Sequence, residues 1–417
     1  MSGRARSIPL LLALALAALA PQRACAGTEE FSTFSVEEQE RDDESLLDHV
    51  MSRTPEAWET EWCRAPLALR TGQGCLTSGQ WFTSIDAKLR ASMARNAWFG
   101  LTFTDRENDA VDYQFVDFSF HLATRFGTPY FMFRPFHDKS RQDFALGLDV
   151  GADTTVFQMS AVLGLEDFFN NLWAFRQTTL GQTAEPFVKH PFEPALSFAV
   201  HRPAWRAEMG GRYLTPQVKR IIVSYAFPDL DHLTTLWGSY VWGSLEARTA
   251  GFDWTIATVN HQAKSGVWTV GTPNDYLHDY RRQWSLETTL THALAAHWAA
   301  EWRGLYQERT GNVESATVPR AFAGTDRMMQ IEARYARDER FTVRFGALRD
   351  RVTVYQPGYA IPNSQGSRYE DRAYVGVGFK LGRVSMQGVE GLRLFDKERY
   401  VLTNIHDKGF LQLQSTF

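Results

Sequence analysis

From about residue 80 to its end the chain repeats with a period of two, and this limits its fold more than any other feature. Ile85, Ala87, Leu89, Ala91 and Met93 alternate with Ser84, Asp86, Lys88, Arg90 and Ser92. Val116, Phe118, Phe120 and Leu122 alternate with Asp117, Ser119, His121 and, further on, Arg125. The clearest hairpin spans 328–348: Met329, Ile331, Ala333 and Tyr335 run out, Arg337 to Arg340 turn, and Phe341, Val343, Phe345 and Ala347 return. Over some 330 residues no helical interval interrupts the pattern. A soluble sandwich of that length normally divides into domains, and the repeat spacing of a propeller is absent.

The faces opposite the apolar ones hold acids and arginines together with glycines, which suits a crowded charged interior better than bulk water. The chain is 13% aromatic with a mean hydropathy of -0.32, as strands with one greasy and one polar face would give. Its last nine residues, Gly409 to Phe417, put Leu411, Leu413 and Phe417 on one face and Gln412, Gln414 and Thr416 on the other. In this ending the chain resembles the Gram-negative outer-membrane β-barrels, many of which close on such a strand with a terminal Phe. The resemblance implies an antiparallel transmembrane β-barrel in the bacterial outer membrane. It also implies contact with outer-membrane lipid, and assembly machinery that reads the strand ending in Phe417. Strand-length segments number 14 to 18, and an even count near the middle gives about 16 strands. Trp98, Trp205, Trp237, Trp254, Trp284 and Tyr306 recur near strand ends, where interfacial girdles belong.

The first 26 residues read as a cleaved secretory signal peptide. Arg4 and Arg6 precede the short apolar run Ile8 to Ala20, and Ala24-Cys25-Ala26 places small residues at the cleavage site. Residues 27–77 form an acidic, partly helical extension, and 78–417 the barrel. Within the extension Ser35-Val36-Glu37-Glu38 reads as a capping box for a helix toward Met51, ended by Pro55. Whether this segment plugs the barrel or hangs free stays open. Once the signal is removed only Cys63 and Cys75 remain, and an oxidising compartment favours a disulfide between them.

No constellation reads as an enzyme, a metal site or a cofactor site. His137 and Ser140 have the residue types of a hydrolase pair, but a strand would send them to opposite faces. A net charge of -4 without a basic block predicts no nucleic-acid partner. The candidate site is a mixed-charge pore lining: Asp86, Lys88, Arg90, Asp117, Arg125, Glu246, Arg248, Glu301, Arg303, Glu332, Arg334 and Arg344. Opposed charges across a pore set ion selectivity without a binding motif. In the connection 164–193, residues Leu165 to Arg176 read as a helical turn or two, and Phe168, Phe169 and Trp173 as a constriction loop or a subunit contact. Three classes follow: a porin-like channel for small polar solutes, a structural sheath around a secreted or electron-carrying partner, and a lipid-acting enzyme. The chain is read as a non-enzyme, with homo-oligomerisation open.

Overall fold

The structure is a computed structural model describing residues 56–75, 81–108, 112–134, 142–151, 156–166, 175–178, 181–184, 187–224, 230–249, 251–271, 276–315, 320–338, 340–355, 366–395 and 406–417. Among the described residues it opens with one helix, α1 (Glu56–Arg64), and every later element is a strand. These are β1 (Leu67–Cys75), β2 (Trp81–Ala94), β3 (Ala97–Asn108), β4 (Asp112–Leu122), β5 (Thr128–Phe133), β6 (Gln142–Val150) and β7 (Phe157–Glu166). Three short strands follow: β8 (Phe175–Thr178), β9 (Gly181–Ala184) and β10 (Phe187–Lys189). Then come β11 (Phe192–Arg202), β12 (Trp205–Ser224), β13 (Leu230–Thr249), β14 (Phe252–Thr269), β15 (Tyr276–Ala295), β16 (Trp298–Ser315) and β17 (Arg320–Asp338). The last four are β18 (Phe341–Tyr355), β19 (Gly366–Leu381), β20 (Val384–Phe395) and β21 (His406–Thr416).

Each long strand pairs antiparallel with the next, and the ring shuts through β1. Ala68 lies opposite Lys88 on β2 and opposite Thr416 on β21. β7 passes directly to β11, so 18 strands close the barrel. That is the top of the expected range and two above its centre. Part of the difference is β1, which takes Leu67–Cys75 out of the extension and starts the barrel about ten residues before position 78. Its sequence, LALRTGQGC, alternates clearly only at Leu67 and Leu69, so local pattern alone does not mark it.

The strands β8, β9 and β10 stand outside the ring and pair with each other or with the far end of β12. At its two ends the helical reading of 165–176 is corrected: Leu165 is a ladder residue between Phe144 and Phe192, and Phe175 and Arg176 lie in β8, held by cross-strand pairing. Residues 167–174, with Phe168, Phe169 and Trp173, lie outside the described residues, as do the signal peptide and the helix expected before Met51.

The two ends of the barrel differ. At one, strands turn back after two residues, as at Arg95-Asn96, Pro203-Ala204 and Gly382-Arg383; Phe417 and α1 lie at this end. At the other, the connections are longer and β12, β13 and β15 reach 20 residues. Such a strand is roughly 65 Å long and, tilted by about 40°, stands about 50 Å tall, twice the usual apolar band. Its far half therefore projects beyond the membrane. By the usual asymmetry of these barrels, short turns mark the periplasmic side.

Candidate functional site: the barrel lumen and its short-turn mouth

On β17, β18 and β21 burial separates the two faces of the strand. On β17 and β18, Met329, Ile331 and Phe345 are 58%, 64% and 47% exposed, while Gln330, Glu332, Arg344 and Asp350 between them are buried. On β21, Leu411 and Leu413 face out and Gln412 and Gln414 face in. The outer wall thus carries a continuous apolar belt, with Trp205, Trp254, Trp298 and Phe341 exposed toward its short-turn edge. In water such a surface would drive aggregation; in a bilayer it is the contact surface, and closure leaves no unpaired edge. The chain has the architecture of an outer-membrane β-barrel. In this barrel Trp98 does not join the girdle: it points inward and stacks on His121 at 4.9 Å, 7° from parallel.

No family model matches the chain, and no curated protein resembles it in sequence. Solved structures do resemble it in outline. OccK10 of Pseudomonas aeruginosa is 10% identical, with 85% of this chain and 98% of that chain covered and a TM-score of 0.41. OmpT, an outer membrane protein of Vibrio cholerae, is 11% identical over 84% and 96% of the two chains, with a TM-score of 0.39. CdiB from Acinetobacter baumannii is 11% identical over 84% of this chain and 60% of that one, with a TM-score of 0.43. The fold assignment rests on the strand pairing, not on these likenesses.

Inside, the proposed lining residues gather into distinct groups. The tightest spans β15 to β19. Glu332 is 2% exposed and accepts hydrogen bonds from Arg334 and from the Tyr374 hydroxyl, with Arg344 at 4.0 Å. Gln330 donates to Tyr374. Arg334 also binds Glu301, which lies 3.6 Å from Arg303, and Arg303 reaches Glu287 at 3.1 Å. A charge is kept out of water here only because several partners surround it. Tyr374 fits because Gly346 on the neighbouring strand has no side chain: a Cβ there would collide with the phenol ring.

On the opposite arc Asp117 forms a two-pronged pair with buried Arg134, its second hydrogen bond 2.7 Å long. Arg134 follows β5 directly, and nothing in its local sequence singled it out. Arg90 lies over the Trp98 ring, 4.4 Å from its centroid. Glu246 lies opposite Arg206 across β12 and β13, and Arg248 is half-exposed at the rim, 3.2 Å from Asp253. Arg125 is not in the lumen. It is exposed in the turn after β4, because the alternation stops at Leu122 and Thr124 bonds Gly127 to close a tight reversal. The wall is also less uniformly polar than the sequence implies: Tyr130, Met132, Ala145, Val162 and Ala195 form one apolar patch, and Met328, Leu348, Tyr374 and Val389 another.

The short-turn mouth holds α1. Acidic Glu56 and Glu59 lie in its first turn and Arg64 in its last, as the helix dipole favours. Trp58 and Trp62 are 2% and 4% exposed. Trp62 lies between two cations of the wall, Arg70 at 4.5 Å and Lys88 at 5.2 Å from its centroid. Glu59 pairs with Arg70 at 2.6 Å, and Glu61 binds both Lys380 and Thr416. Gln414 donates to the Trp58 carbonyl. A cleft of about 440 Å³ remains beside the helix, lined by Glu61, Arg64, Lys380, Arg383 and Phe417. Part of the extension is therefore docked against the inner wall, so Lys88 serves as a seat for α1.

Cys63 belongs to the last turn of α1 and Cys75 ends β1, whose side chain lies outside the described residues. Peptide mass spectrometry of exported, non-reduced protein is expected to find the two linked, staking α1 to the wall. On the chain-entropy estimate so short a loop is worth roughly 3 kcal/mol. Two free thiols would refute the link. His137 and Ser140 lie outside the described residues.

Proposed function

We propose that the chain is a porin-like channel for small polar solutes in the bacterial outer membrane, exported by a cleaved signal peptide and acting without covalent chemistry. The observation that carries this reading is an 18-stranded ring with a charged inner wall. Strands about 4.8 Å apart and tilted by about 40° give a ring on the order of 35 Å across. Lining side chains cannot fill that width, and a helix about 10–12 Å wide at one side of the mouth leaves most of it open. Acids and arginines around the wall would then set ion preference.

Single-channel recording in planar bilayers tests it. Stepwise conductance is expected, and Glu246→Gln should shift the reversal potential in a salt gradient toward anion preference. Folded protein that inserts yet gives no steps would overturn the channel reading.

A further inference from the structure

The short-turn mouth holds more positive charge than its own contacts use. The cleft beside α1 measures about 440 Å³, a size that small-molecule sites share. On one side lies the end of α1, with Thr60, Glu61 and Arg64, followed by Ala65. On the other lies the wall, with Lys380, Arg383, Thr416 and Phe417.

The side-chain charges around this cleft do not balance. Its acidic side chain, Glu61, is engaged through both oxygens: Oε2 meets Lys380 Nζ at 2.5 Å, and Oε1 accepts from the Thr416 hydroxyl at 3.1 Å. Arg64 ends α1. Arg383 stands in the two-residue turn between β19 and β20, beside Gly382, whose φ of +61° lets the chain reverse. Both arginines are exposed, and among the described residues neither guanidinium has a hydrogen bond or an ion pair. The carbonyl end of α1 adds roughly half a negative charge. Three cations against one acid and that half charge leave the lining about 1.5 charges positive. Cations gathered round one concave, low-dielectric site concentrate anions there.

We propose that this cleft binds a small aliphatic dicarboxylate from the compartment that the short turns face, one carboxylate on Arg64 and the other on Arg383. Arginine suits the task because its planar fork meets both oxygens of a carboxylate at once. Two carboxylates are called for because one guanidinium belongs to the helix and the other to the wall. The space is several times that of a bare sulfate, and Ala65 with the methyl groups of Thr60 and Thr416 gives an aliphatic chain apolar contact. A ligand held in this way ties α1 to the β19–β20 turn, alongside the Lys380–Glu61 pair. Its binding is read without any current, so the site stands or falls apart from the channel reading.

The test is isothermal titration of the full chain in neutral detergent at low salt. The probe is heptanedioate, with heptanoate and sulfate as controls. Heptanedioate is expected to bind at least tenfold more tightly than either control. Arg64→Gln/Arg383→Gln should weaken it at least tenfold, whereas Arg95→Gln, in another short turn of the same mouth, should stay within twofold of the parent. Faster migration of unboiled protein on gels confirms that each variant is still a closed barrel. The bridging geometry has its own readout. Heptanedioate at a concentration that saturates the parent should slow hydrogen exchange of the α1 amides at least threefold, and should fail to do so in Arg383→Gln, which leaves the helix sequence intact. No binding by the parent, unchanged binding by the double variant, a control that binds as tightly as heptanedioate, or α1 exchange unaltered at saturation would each overturn the proposal.

Discussion

Glu332→Leu is expected to lower the stability of the barrel by about 3–5 kcal/mol, the largest single-residue effect in the lumen. The reason is what the carboxylate leaves behind. Arg344 is 8% exposed and Arg334 is held between Glu301 and Glu332, so removing Glu332 strands buried positive charge and costs the Tyr374 hydroxyl its acceptor. Breaking a buried pair from one side costs several kcal/mol, whereas replacing every member by apolar groups can be nearly neutral. Glu332→Leu/Arg344→Met should therefore recover part of the loss. Asp253→Asn provides the contrast: its partner Arg248 is 41% exposed and Asp253 is 59% exposed, and such pairs contribute about 0–1 kcal/mol. Urea unfolding of the protein folded in lipid, followed by tryptophan fluorescence, measures all three. Equal midpoints for Glu332→Leu and Asp253→Asn would show that the cluster fills space without holding the wall together.

The barrel was legible because its strands are polar on one side and apolar on the other, which is the pattern that sequence shows best. The hairpin at 328–348 turns just where Arg337 to Arg340 predict, with Tyr335 opposite Val343. Facing was legible for the same reason: Asp117, Glu301, Arg303, Glu332 and Arg344 are all buried on the inner wall. What the pattern could not show is which groups meet across distant strands. Arg134 and Tyr374 complete two of the networks through partners 17 and 42 residues away, and neither stands in a motif. Arg125 failed for the complementary reason, since a polar residue past the end of a strand looks the same in sequence as one inside it. β1 was missed because it is held by β2 and β21, the latter more than 300 residues away, rather than by its own periodicity.

Undocking α1 is expected to raise conductance by roughly a quarter while the barrel's unfolding midpoint stays put. The figure compares the cross-section of a helix about 11 Å wide with an opening about 25 Å wide once side chains line the ring. A nine-residue helix is marginal in water, so α1 depends on its docking. Trp58 supplies much of that docking, and truncating a buried Trp costs about 3–5 kcal/mol. Trp58→Ala/Trp62→Ala should release the helix from its side. Gly378→Val approaches from the wall: a Cβ at Gly378 would lie 2.8 Å from the Trp58 ring and 2.6 Å from the Thr342 hydroxyl oxygen. The indole must then leave its seat although α1 itself is unaltered. Agreement between the two variants in single-channel recordings would identify α1 as the element that narrows the short-turn mouth. If conductance stays at the parental level in both, the helix is a strut on the wall and the ion path runs clear of it.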